Sequence, residues 1–91
     1  MPTISYFYGI AIRMFFNDHA PPHFHAFHGN HEAQVAIATG DVIKGVLPHT
    51  AQRLVREWTL RYHDELMANW ARVHGDRAPE RIPGLDAEND D

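Results

Sequence analysis

The run from His23 to Thr39 constrains the fold more than any other part of the chain. Gly29-Asn30 is a two-residue turn signal, because both residue types tolerate positive φ. Residues on either side of it alternate between apolar and polar, the period of a strand. A two-residue turn fixes the pairing: His28 opposes His31, Ala26 opposes Ala33 and Phe24 opposes Val35. That face continues through Ile37 and is the predicted core face. His23, His25, Phe27, Glu32 and Gln34 fall on the other. A slip of one residue would bury the histidines' face and expose the apolar one, so the register is strongly specified.

The rest of the chain is read around this hairpin. Ile4–Tyr8 and Ile10–Phe16 are predicted strands, with a bend or bulge at Gly9 and Arg13 pointing away from the core. Asn17 to Pro22 is a loop, because Pro21 and Pro22 lack an N–H. Gly40-Asp41 turns the chain into a further strand over 42–47. Pro48 opens a helix, with Thr50 sharing the capping. Ala51, Leu54, Val55, Trp58 and Tyr62 follow helical spacing, and Leu66, Met67, Trp70 and Val73 continue it. A single helix over 49–74 would be about 39 Å long, too long for a domain of 91 residues. Two helices breaking near Tyr62-His63-Asp64 are therefore expected, with Asp64 starting the second and Gly75 ending it. The predicted class is α+β: an antiparallel sheet of four or five strands followed by two helices packed on one face, as a single domain over residues 1–75.

Charge is uneven. Up to Gly75 acids and bases balance, and the net charge of −4 resides in residues 76–91. This acidic tail is expected to be mostly disordered, with Ile82 and Leu85 as anchors. A neutral body with local arginines does not exclude an anionic partner, but it is less basic than a dedicated nucleic-acid binder. The chain has no cysteine, which removes disulfides and thiolate ligands and fits a reducing, cytoplasmic compartment. No apolar run reaches the roughly 18–20 residues of a membrane span, and the first residues lack the pattern of a secretory leader.

Chemistry concentrates in one place. Five of the eight histidines lie between His19 and His31. Residues two apart on a strand point the same way, so His23 and His25 share a face, with Glu32 and Gln34 beside them. Arg13 joins them if its strand pairs with theirs, and Asp18 and His19 arrive from the Pro-Pro loop. The candidate catalytic set is thus His19, His23, His25, Arg13, Asp18 and Glu32. Three uses suit it. One is acid–base chemistry with Arg13 holding an anion. Another is metal ligation by His19, His23 and His25 with a carboxylate. The last is recognition of a protein partner without chemistry. A set of merely solvated polar residues is an equally economical reading. Trp58 and Trp70 belong to the apolar stripe, and His49, His63 and His74 sit at helix edges as capping or solvated groups. Nothing pairs Ser5, the only serine, with a base, and there is no Gly-rich phosphate loop.

Several strings then look familiar together: Met1-Pro2-Thr3-Ile4, Tyr8-Gly9-Ile10-Ala11-Ile12-Arg13-Met14, Asn17-Asp18-His19, Pro21-Pro22-His23-Phe24-His25-Ala26, Leu47-Pro48, Arg53-Leu54-Val55, Glu57-Trp58 and Asn69-Trp70. Residues 1 to about 75 resemble a small bacterial family catalogued as domain-of-unknown-function family 4160. The resemblance implies a genetic neighbour, a small protein of unknown-function family 2442. It thereby implies a toxin–antitoxin module in which this chain is the toxin and the neighbour its cognate partner. It supplies no cofactor and no substrate. RNA is the target by analogy with other small toxins, and Asp18, His19, His23, His25 and Arg13 match the family's motif. A homodimer through an uncovered edge strand is also expected.

Overall fold

The computed structural model describes residues 3–89. Met1, Pro2, Asp90 and Asp91, to which the leader and tail expectations extend, lie outside the described residues. Five strands and two helices follow one another: β1 (Thr3–Phe7), β2 (Ile10–Arg13), β3 (His23–His28), β4 (His31–Ala36), β5 (Val42–Gly45), α1 (His49–Arg61) and α2 (His63–His74), with a closing 3₁₀ turn over Leu85–Asn89. The strands form one antiparallel meander in chain order, with β1 and β5 at its edges. The fold is α+β, as read from the sequence.

The hairpin has the predicted register: His28 faces His31, Ala26 faces Ala33 and Phe24 faces Val35. Only Gly29 takes positive φ in its turn, the two-residue geometry with glycine first. At the other tight turn Tyr8 joins Gly9 at positive φ. Phe7 consequently pairs with Ile10 across two central residues, in place of the bend or bulge expected at Gly9. Three strands are shorter than expected, β5 among them, which stops at Gly45 and not at position 47. β2 ends at Arg13, and just beyond it the Phe15 ring packs edge-to-face with His25, with centroids 4.3 Å apart. β4 ends at Ala36, because Ile37 N–H donates to the Pro22 carbonyl and Gly40 N–H to that of Ala36.

At Gly45 the backbone of β5 lies close against that of β4. Its φ is +85°, and a Cβ there would overlap the Glu32 carbonyl oxygen and lie 3.0 Å from Ala33 Cα. Gly45→Ala is expected to cost about 1–2 kcal/mol for the left-handed backbone alone, with the overlap adding to it. Gly29→Ala, whose Cβ meets nothing within 4 Å, should cost only the backbone part. Urea midpoints of the two variants measure the difference, and equal midpoints would contradict the close approach.

The helices break at Tyr62 (φ −108°, ψ 30°), where the length argument placed it. Neither α1 nor α2 has a side-chain N-cap, so Thr50 and Asp64 do not cap. Asp64 and Glu65 instead lie in the first turn of α2, where a carboxylate favours the helix dipole. α1 buries Ala51, Val55, Trp58 and Thr59 against the sheet. The Trp58 ring lies 5.2 Å from Phe7 and edge-on to Phe24 at 5.6 Å. α2 buries Leu66, Asn69 and Val73.

The segment after Gly75 departs from expectation. It is not a solvated tail up to the 3₁₀ turn but a strap laid along the outer side of β1. Ile82 and Leu85 are buried in the common core, the two anchors the sequence offered. Polar side chains of the helices hold the strap by its backbone. Asn69 Nδ2 donates to Glu80 O and Asn69 Oδ1 accepts from Glu80 N–H, both at 2.8 Å, and Trp58 Nε1 donates to Pro83 O at 2.8 Å. Ile82 N–H donates to Ile4 O on β1 at 2.8 Å. The acids that suggested disorder, Asp76, Glu80 and Asp86, stay on the solvent side.

Candidate functional site

Strand period places the site. In the β2–β3–β4 register Arg13 faces His25, which faces Gln34, and Ala11 faces Phe27, which faces Glu32. All these side chains lie on the face away from Trp58 and α1. His23, at the start of β3, reaches past the end of the sheet to Trp70 of α2, with ring centroids 5.4 Å apart. The loop before β3, in which the Ala20–Pro21 peptide is cis, folds Asp18 over both histidines.

One carboxylate oxygen collects both imidazoles. His25 Nε2 donates to Asp18 Oδ2 at 2.9 Å, and His23 Nε2 lies 3.2 Å from the same oxygen. His23 Nδ1 donates to the Pro21 carbonyl at 2.8 Å. His25 Nδ1 is buried without a hydrogen-bond partner, and the nearest carboxylate is Glu32 Oε2 at 3.5 Å. His23 and His25 are only 6% and 8% exposed, unusual for residues with two polar ring nitrogens. Burial of such groups costs free energy unless partners are supplied, and here one aspartate supplies most of them.

The other candidates occupy different stations. Arg13 lays its guanidinium over the Phe27 ring, 4.9 Å from the centroid, and its Nε is buried without a partner. Among the described residues no carboxylate pairs with it. Glu32 is exposed at the rim. His19 is exposed and does not join the cluster. It lines an open depression of about 520 Å³ with Phe16, Asn17, Asp18, Ala20, Trp70 and His74. The metal set expected from sequence, His19 with His23 and His25, is thus replaced in space by Asp18 with His23 and His25. A second depression, of about 380 Å³, lies at the start of α1. There His49, Gln52, Arg53 and Arg56 face Gly40 and Asp41.

Sequence reasoning missed His74. Its Nε2 contacts the Asp18 carbonyl and its Nδ1 the Trp70 carbonyl, each at 2.9 Å, while its ring packs on Trp70 at 4.2 Å. α2 therefore pins the loop that carries Asp18. The spacing of Trp70 and His74, one helical turn apart, was a weak signal, but its acceptor is a backbone group 56 positions away.

The family model described as Domain of unknown function (DUF4160) matches residues 9–71. The chain belongs to this family. The match covers Arg13, Asp18, His23, His25 and Glu32, so the clustered residues of this DUF4160 domain fall within the family region. His74 and the strap lie beyond it. No curated protein and no solved structure matches the chain. No helix of the described residues is long and apolar enough to cross a membrane.

Proposed function

We propose that this DUF4160 protein is the effector of a two-protein bacterial toxin–antitoxin module, acting in the cytoplasm on an anionic target, RNA first among them, at the Asp18–His23–His25 centre. One observation carries the reading. Two buried imidazoles converge on the carboxylate of Asp18, which itself lines an open depression, and on the neighbouring strand lies Arg13, which pairs with no carboxylate among the described residues. Packing alone does not call for such a group, and local violations of burial rules concentrate at functional sites. Phe16 and Trp70 contribute aromatic side chains to the lining of the depression and Asn17 and His19 polar ones, a mixture suited to an unstacked base. Arg13 is the cation available for a phosphate.

The arrangement argues against two free imidazoles working as acid and base, because both Nε2 atoms turn to one oxygen. A small cognate partner of the family 2442 type would neutralise the effector, and a homodimer is compatible with the free β5 edge. The competing reading, a protein-docking module, draws on the exposed Tyr6 and Tyr8.

Induced expression of the chain alone in a bacterial host tests the choice. Growth arrest and loss of intact RNA are expected. Arrest should disappear in the His23→Ala/His25→Ala double variant and on co-expression of the partner. A wild-type chain that leaves growth and RNA untouched would remove the effector reading in favour of docking.

A further inference from the structure

We infer that Asp18, His23 and His25 bind one divalent first-row transition-metal ion, with Glu32 and the Pro21 carbonyl as the outer groups that orient the two imidazoles. This deepens the reading above by naming a cofactor for the same centre, yet it stands or falls separately from any toxic effect.

The donor spacing comes first. Nitrogen and oxygen ligands sit about 2.0–2.1 Å from zinc, so two donors sharing such an ion lie about 3.0 Å apart at an octahedral edge and about 3.4 Å at a tetrahedral one. Asp18 Oδ2 is 2.9 Å from His25 Nε2 and 3.2 Å from His23 Nε2. One donor atom from each of the three residues lies within 4.8 Å of the others, so the imidazole–imidazole edge closes with a modest ring rotation.

The outer groups provide an independent observation. Metal-bound histidines hand their second N–H to a carbonyl or carboxylate, which fixes the tautomer and the ring. Both histidines here present Nε2 to the common point. His23 already donates Nδ1–H to Pro21 O at 2.8 Å. His25, more than nine-tenths buried, has an unpartnered Nδ1 with Glu32 Oε2 3.5 Å away. Ligation through Nε2 would keep the proton on Nδ1 and make Glu32 its acceptor.

Proton counting points the same way. The Pro21 carbonyl can only accept, so His23 Nδ1 carries a proton. A neutral imidazole has no second proton, and its Nε2 lone pair then faces the Asp18 carboxylate, another acceptor. A positive charge at His23 Nε2 completes this contact, either a proton or a bound cation, and a metal ion would serve both imidazoles and the carboxylate at once. Two imidazoles and one carboxylate suit zinc, nickel, iron(II) or copper(II) and not calcium or magnesium. Three protein ligands leave a coordination position for water or substrate, and Asp18 itself lines the depression.

Untagged full-length protein, stripped with chelator, is titrated with Zn²⁺ by calorimetry and with Co²⁺ by visible absorption. About one ion per chain is expected, with cobalt ligand-field bands of a low-symmetry nitrogen and oxygen site. His23→Ala, His25→Ala and Asp18→Ala should each weaken binding by about 100-fold or more. Glu32→Gln should weaken it by about 10–100-fold at unchanged stoichiometry. His31→Ala, at the exposed turn, should leave binding unchanged. Circular dichroism checks each variant. Should the alanine variants fail to fold, imidazole ¹⁵N shifts of His23 and His25 in the wild-type chain on Zn²⁺ addition report ligation directly. Affinity weaker than about 1 mM, unmoved His23 and His25 resonances, or loss of binding in His31→Ala equal to that in His23→Ala would each overturn the site. Growth arrest by a chain that binds no metal would sink this inference and leave the effector reading. Stoichiometric metal without arrest would do the reverse.

Discussion

A chain ending at Gly75 is expected to lose about 3–6 kcal/mol of stability, because it forfeits the burial of Ile82 and Leu85 at about 1.5–3 kcal/mol each. Their relative exposures are 4% and 8%. Area-based figures of this kind are upper values. A domain of this size has only about 5–15 kcal/mol in total, so the shortened chain should be partly or wholly unfolded at 37 °C. Removing the strap also uncovers Trp58 Nε1 and the Asn69 amide, whose partners are strap backbone groups. Urea unfolding of the two chains measures the effect. An unchanged midpoint would mean that the segment rests on the core without stabilising it.

Trp58→Ala should cost about 3–5 kcal/mol, the range for deleting a buried aromatic ring. Trp58 is fully buried between Phe7 and Phe24, and Tyr62 lies 6.0 Å from it. Its indole N–H also ties α1 to Pro83. Trp58→Phe separates the two roles, because it keeps a ring but leaves the Pro83 carbonyl without its donor, at about 1–3 kcal/mol. The Trp58→Ala and truncation effects should sum to less than their separate values, since they share the strap contact. Thermal or urea unfolding of the single and combined variants checks this, and strict additivity would contradict a shared contact.

What the sequence made legible was whatever repeats. The period of two put His23 and His25 on one face, and the Gly29-Asn30 turn set the register that places His25 opposite Gln34, while Arg13 comes into line only through the β2–β3 pairing. The helix break at Tyr62 followed from length against domain size. What escaped were contacts with no period. Asp18 sits in an irregular loop, so nothing in its spacing told that it, and not His19, would meet the two rings. His74 finds a backbone carbonyl, which leaves no trace in side-chain chemistry. The strap was misjudged because composition weighs every acid equally. Asp76, Glu80 and Asp86 point outward while two apolar residues and a few backbone hydrogen bonds dock the segment. Asn69, read only as part of a family string, is the fully buried residue that grips it.

The position of the strap on the outer side of β1 limits how copies of this sheet can add to one another. Growth of a cross-β polymer requires every subunit to offer two unpaired edges, one to receive a neighbour and one to pass the pairing on. Here β1 is flanked by residues 81–84, and Ile4 O already accepts from Ile82 N–H. β5 is left as the available edge, only four residues long and carrying Lys44. Pairing through β5 closes on itself at two subunits, so a strap that stays docked makes the longest sheet this chain can build a finite, ten-stranded one.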